Sequence, residues 1–288
     1  MTSTFFYHSF PRKKDHVLGL KILESLFRKG LLLTGEERTF AATRNLPAAK
    51  AFQQRACFTA LSPNEVSGHA EDFGEFALEF DGKALRAFGA LPAVYFAGRL
   101  PDGEFFNESG QMLARQLLEA HQVLGEIWDR SRNGTADERQ MLQSILRRDH
   151  RANLPPEELY FCLQALCNLS YPTDDPKWTG PLEYYHQREW KIVPNLAFAG
   201  VWHYRTLEDV EKEELIASNR EFFEKPMGGK RQIDFCSYFH DVGGKNIIDF
   251  ARRVIAPEPV LEKAREIVHT RKATLDVVSA SGAEFRAP

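Results

Sequence analysis

Between Tyr185 and Ile192 the chain sets an imidazole, an amide, a guanidinium and a carboxylate in consecutive positions: His186, Gln187, Arg188 and Glu189. Tyr184, Tyr185, Trp190, Ile192 and Val193 flank them. Aromatic and β-branched flanks favour a strand, so these polar groups are expected at the edge or end of a buried one. Side chains two apart on a strand leave by the same face, which pairs Gln187 with Glu189 and turns Arg188 away. An amide beside a carboxylate can bind a sugar's hydroxyls and steady positive charge developing on its ring. The competing reading is structural. A carboxylate among apolar residues needs a partner, and Arg44, Arg55 or a lysine from elsewhere can supply one.

Other candidate groups carry weaker patterns. His8 lies between Tyr7 and Ser9 in the aromatic run Phe5–Phe10, and reaches a site only if that strand lies near Glu189. His69-x-Glu71-Asp72, with His186, His203 and His240, has no metal-ligand spacing, so no metal is expected. His240-Asp241 has the residue types of a general acid–base pair. Gly228-Gly229 and Gly243-Gly244-Lys245 lack the spacing of a phosphate loop, and neither Ser62 nor Ser67 sits in a nucleophile elbow. Lys230, Arg231 and Lys245 can rim a phosphate or simply face water. The acidic run Glu208, Asp209, Glu211, Glu213 and Glu214 reads as a solvated helix face, or as a surface for a basic partner.

The composition fits an ordinary globular protein. The 288 residues are 43% hydrophobic and 27% charged, with a formal charge of −3, which argues against nucleic acid as the main partner. No apolar run approaches a membrane span, so no membrane partner is expected, and Met1–Phe5 lacks a signal peptide's pattern. Cys57, Cys162, Cys167 and Cys236 are scattered without metal or disulfide spacing, as in a reduced cytoplasmic protein.

The elements that would position these groups alternate between strand and helix patterns. Strands are expected at Phe5–Phe10, Ala56–Leu61, Glu75–Phe80, Ala93–Phe96, Glu183–Val193, Arg253–Pro257 and Thr274–Ser279. Val17 to Phe27 has helical spacing closed by Gly30, with Leu31–Leu33 read as the start of a loop and His69–Gly74 as a short polar segment. From Gln111 to Asn168 apolar residues keep helical spacing, broken at Asn133-Gly134 and Pro155-Pro156 into three helices. Helices are also expected at Leu207–Ser218 and Val260–His269. The expected fold is a single α+β domain over 1–288, with a mixed central sheet built from distant segments and a helical insertion at about 109–172.

Arg55–Thr59, His69–Phe80, Pro92–Tyr95 and Tyr184–Ile192 together resemble the AbiGi family, the antitoxin component of a bacterial abortive phage-infection system. They are also similar to a broader bacterial domain marked by Cys-Phe-Ser, Trp-x-x-Tyr, Gly-x-x-x-x-Phe and Glu-x-Glu-Trp-Arg. This chain departs from that pattern with Thr59 for the Ser, His69 and Phe73 for the Trp and Tyr, and Gln187 for the first Glu. The likeness runs over residues 5–280 and is thinnest in the helical insertion and in 194–250. It implies a role in phage defence as a regulatory or interaction partner of a protein, either a toxin or a phage or host protein.

The Tyr7-His8 pair on the first strand, the helix ending in Gly30-Leu31, the strand with Thr59 and the late Gln187-x-Glu189 together resemble the layout of the ADP-ribosyltransferases. That resemblance implies an NAD-using enzyme, a transferase or glycohydrolase, with NAD as its substrate. His8 would hold the NAD ribose, Thr59 and the aromatic Tyr95 would support the nicotinamide pocket, Gln187 would orient the acceptor, and Glu189 would stabilise the oxocarbenium-like transition state.

Overall fold

The structure is a computed structural model that describes residues 5–12, 14–40, 49–96, 108–147, 156–172, 188–194, 197–198, 201–202, 204–239, 245–271 and 274–279. Its first strand, β1 (Phe5–Phe10), sends Phe6, His8 and Phe10 to one side and Phe5 and Tyr7 to the other. Asp15 then caps helix α1 (His16–Lys29), accepting from the Leu18 N–H at 2.9 Å. Gly30 ends it at φ 94°, a backbone region that favours glycine, and returns its N–H to the Leu26 carbonyl at 3.0 Å.

The next segment corrects the sequence reading. Leu32–Phe40 is a nine-residue strand, β2, and its partner β3 runs over Ala49–Leu61, longer than the Ala56–Leu61 signal. The expected polar segment at His69–Gly74 is the end of helix α2 (Val66–Phe73). Strand β4 (Phe76–Phe80) is buried along its whole length. After helix α3 (Gly82–Ala87) come the short strands β5 (Leu91–Pro92) and β6 (Val94–Phe96). Three helices follow where the spacing predicts them: α4 (Glu108–Asn133), α5 (Ala136–Arg147) and α6 (Pro156–Leu169). They lead into β7 (Ser170–Pro172), which pairs in parallel with β6.

Strand β8 (Glu189–Ile192) returns to the main sheet, between β3 and β5. Among the described residues three two-stranded ladders lie outside it: β6 with β7, β9 (Ala197–Phe198) with β10 (Val201–Trp202), and β12 (Pro226–Met227) with β13 (Lys230–Arg231). Strand β11 (Tyr204–Thr206), helices α7 (Asp209–Ser218) and α8 (Arg220–Phe223), strands β14 (Ser237–Phe239) and β15 (Arg253–Ala256), helix α9 (Leu261–Arg271) and strand β16 (Asp276–Ser279) complete the order.

Among the described residues the main sheet has ten strands in the order β11-β14-β2-β3-β1-β4-β15-β16, with β8 and β5 branching from β3. Strands β15 and β16 run parallel and the other pairs antiparallel, so the fold is α+β with a mixed sheet. On one face Phe10, Phe58, Phe76, Leu78, Phe80 and Val254 meet Leu23 and Leu26 of α1 and Ala264 and Val268 of α9. Gly19 allows that approach, because a Cβ there would lie 2.2 Å from the buried Phe76 ring. The opposite face is covered by α2, through Val66, and by α4 and α6, through Ala114, Leu118 and Cys167. This second face carries the chemistry.

Candidate functional site

Strand alternation and register place five polar side chains in one line across the second face. Arg253 opposes Glu79, Glu79 opposes Tyr7, Tyr7 opposes Thr59, and Thr59 opposes Glu189. Directly opposed residues on one face stand within contact distance, so each can answer its neighbour's hydrogen-bonding need in a layer without water. The fully buried Glu79 carboxylate accepts from the Tyr7 hydroxyl at 2.8 Å and from Arg253 Nε at 3.0 Å. Burial, and then the Glu79 charge, push the Tyr7 phenol well above its ordinary range. That half of the line is a closed structural cluster.

The other half centres on Glu189, which is 9% exposed. Its backbone N–H donates to the Tyr95 hydroxyl at 3.2 Å, and its Oε2 stands 3.5 Å from Nζ of Lys191. Burial acts to raise the Glu189 carboxyl. The charges of Lys191 and Arg55, with a hydrogen bond from Cys57, outweigh it and hold the carboxyl below the usual range. Lys191 is fully buried; burial, and then the nearby Arg55, bring it down to about 8. The Cys57 thiol is pushed up to about 12 by burial, with Glu189 adding to the effect, so it stays protonated and is no nucleophile.

Strands β2 and β3 extend the cluster. Arg55 pairs with Glu36 and bonds the Gln53 side chain, while Arg38 reaches Glu36 at 2.5 Å. Burial opposes the charge of Arg55, and Glu36 more than restores it. Above them Tyr171 of β7 accepts from Arg38 and lays its ring over three cations, 4.4 Å from the Arg38 guanidinium carbon, 5.1 Å from that of Arg55 and 4.3 Å from Lys191 Nζ. Gln53 donates to the carbonyls of Cys167 at 2.6 Å and Ser170 at 2.9 Å, tying α6 to the sheet.

At the rim, His69 of α2 stacks on Phe73 at 4.3 Å. Burial, then the charge of Arg12, bring His69 down to about 4 against the opposing pull of Glu189. Arg188 is exposed and holds φ 47°, a left-handed conformation that costs a bulky residue about 1–2 kcal/mol. Its guanidinium pairs with Glu65 at 2.6 Å, and its carbonyl accepts from Ala60 N–H at 3.2 Å.

Of the residues singled out by sequence, Glu189, Thr59 and Tyr95 come together. His8 does not. Thr59 opposes Glu189 while Phe58 opposes Trp190, and His8 packs at 5.4 Å from the Phe58 ring, on the other side of the sheet. There its Nδ1 lies 2.9 Å from the Cys57 carbonyl and burial lowers its pKa, so a ribose-holding partnership with Glu189 has no geometric basis. Gln187, His186, His203, Arg44 and the His240-Asp241 pair lie outside the described residues. Among the described residues no three His, Cys, Asp or Glu side chains are grouped to hold a metal, and no helix is long and apolar enough to cross a membrane.

Sequence reasoning passed over Lys191, Glu36, Arg38 and Tyr171. Lys191 was within reach, since it lies two residues from Glu189 and must share its face. Compared with family models, curated proteins and solved structures, the chain matches none.

Proposed function

We propose that this chain acts as a binding and regulatory partner in bacterial phage defence of the abortive-infection type, and that Glu189 serves its fold. The observation that carries this reading is the compensation of Glu189 by Lys191, Arg55 and Cys57. A carboxylate already balanced by two buried cations has little field left to stabilise an oxocarbenium ion. The resemblance of Arg55–Thr59, His69–Phe80 and Tyr184–Ile192 to the AbiGi family supports the phage-defence setting. Support for a protein partner comes from the helical layer, whose outer side exposes Met112, Leu113, Val123 and Leu166. At the cap and first turns of α7, Glu208, Asp209 and Glu213 are exposed around Val210, which suits a partner with basic and apolar groups.

Two measurements test the reading. Purified chain incubated with NAD is expected to release no nicotinamide; release that disappears in Thr59→Val and Glu189→Gln variants would overturn it. In cells challenged with phage, Leu113→Lys combined with Val123→Lys is expected to change protection while leaving the unfolding midpoint intact. Unchanged protection in that variant removes the helical layer as the partner surface. An NAD-site reading retains one favourable observation: Thr59, Tyr95 and Glu189 meet beside the left-handed Arg188. It requires Lys191 to leave Glu189 when the substrate binds.

A further inference from the structure

Helix α2 covers the second face at the end of the polar line that holds Thr59 and Glu189. Val66 shares a buried cluster with Tyr7, Leu61 and Ala77, Tyr7 opposes Thr59, and the charge of Glu189 is felt at His69. At this end of the face Thr59 is 8% exposed, and Glu189 Oε2 is buried without a hydrogen-bond partner. An acceptor left unsatisfied in a buried layer is costly, and the cost is relieved whenever water or a donor reaches it.

The helix itself is held lightly. Val66 is its one buried side chain, and Ser67, Gly68, Glu71 and Asp72 are exposed. No side chain caps its N-terminus. A segment that buries so little apolar surface opens locally at far lower cost than the sheet beneath it.

Its two ends are fixed by different means. At the C-terminal end Gly74 has φ 116° and returns its N–H to the Ala70 carbonyl at 3.2 Å. A Cβ there would stand 2.3 Å from the Pro11 carbonyl oxygen, so this end is pinned beside the end of β1 while glycine leaves its dihedrals free to turn. At the N-terminal end the tie is ionic. One Glu65 oxygen accepts from the Ser62 N–H at 2.7 Å and hydroxyl at 2.6 Å, and the other accepts from the Arg188 guanidinium at 2.6 Å. Both members of the Arg188–Glu65 pair are exposed, and such a pair holds weakly. Arg188 offers it from a left-handed backbone, and strain of that kind gathers at clamps and switches. A weak tie made by a strained residue is poised to release.

We propose that α2 is a lid over the Thr59–Glu189 end of the second face, hinged at Gly74 and latched by the Arg188–Glu65 pair. Release of the latch withdraws Val66 from its cluster and opens that end of the polar line to water and small polar solutes. The inference holds whether or not the chain acts in phage defence, and it assigns no chemistry to Glu189.

Amide exchange and the NMR titration of His69, both on the full chain, test it. Glu65→Gln keeps an oxygen for Ser62 and drops the charge, while Arg188→Gly suits the left-handed backbone and drops the guanidinium. Each is expected to speed exchange of the 66–73 amides about twofold to fivefold and to leave β1 and β4 unchanged. Combining them is expected to add nothing beyond either alone, since both remove the same latch. Burial, then Arg12, hold His69 at about 4 in the wild type, and in both variants its midpoint is expected to rise toward the ordinary 6.5. Unchanged exchange at 66–73, acceleration shared equally by β1 and β4, an additive double variant, or an unmoved His69 midpoint each overturns the lid. If Arg188→Gly does not fold, exchange and the His69 midpoint in Glu65→Gln decide the matter alone.

Discussion

Glu189→Gln keeps the shape of the site and removes one charge, so its cost can be worked out from the cluster. In the wild type Glu189 balances the nearby charges of Lys191 and Arg55; the variant takes that charge away and leaves both cations in place. Removing one partner of a buried ion pair costs about 3–5 kcal/mol when the other charge must stay. Here the 3.5 Å separation of Glu189 Oε2 and Lys191 Nζ, without a hydrogen bond at Oε2, places the loss at the lower end of that range. Lys191 also has a way out, because its pKa is already down to about 8. Giving up its proton at pH 7 costs about 1.4 kcal/mol per pH unit and caps the penalty. The expected loss is about 2–3 kcal/mol, read as a lower urea midpoint with unchanged slope. Adding Lys191→Met removes the stranded charge at nearly constant volume, so the double variant is expected within about 1 kcal/mol of wild type. If Glu189→Gln leaves the midpoint unmoved, or if the double variant loses the sum of the two single losses, the carboxylate does not hold this cluster together and the structural role assigned to it is wrong.

Two further outcomes follow from packing and from proton linkage. Gly19→Ala sets a Cβ 2.2 Å from the buried Phe76 ring and is expected to cost about 1–3 kcal/mol despite the gain in helix propensity, whereas Gly68→Ala in α2 meets nothing within 4 Å and is expected to gain about 0.5–1 kcal/mol; thermal unfolding of both variants checks the contrast. Lys191 holds its proton less tightly when folded, about 8 against an ordinary 10.5, so between those values the unfolded chain binds more protons, and this group's contribution to stability rises with pH after a full penalty below the window. The stability difference between wild type and Lys191→Met, measured by urea unfolding from pH 7 to 10, is therefore expected to shift in favour of wild type as pH rises, and a flat difference contradicts a buried, charged Lys191.

Much of the fold was legible because helix and strand periods are local. The three helices between Glu108 and Leu169, with a break at Asn133-Gly134 and the third helix described from Pro156, and the strands at Phe5–Phe10, Arg253–Ala256 and Asp276–Ser279 fall where the spacing puts them. Strand β2 was not legible in the same way. Leu32–Phe40 carries Thr34, Gly35, Glu36, Glu37 and Arg38, a polar composition that reads as a loop until the partner strand is known. Its role is set by pairing with β3, a long-range contact that no local window holds. Glu36 and Arg38 were lost with it. His8 failed for a related reason, since sequence distance says nothing of which face of a sheet two strands share; only the register of Tyr7 with Thr59 places His8 away from Glu189.

An alternating strand declares that one face is polar, not that this face meets water. In β4 the polar position is Glu79, and the structure buries it completely against Tyr7 and Arg253. The same holds at Glu189 and Lys191 of β8, where the polar side of the strand lies beneath another layer. That inversion also bears on the helical layer. Helices that cover a polar surface present small residues and backbone carbonyls inward, as Ala114, Cys167 and Leu169 do, and cannot bury all of their larger apolar side chains there. Leu113, Val123 and Leu166 consequently remain on the outer side. The charged interior and the apolar exterior of this layer have one origin.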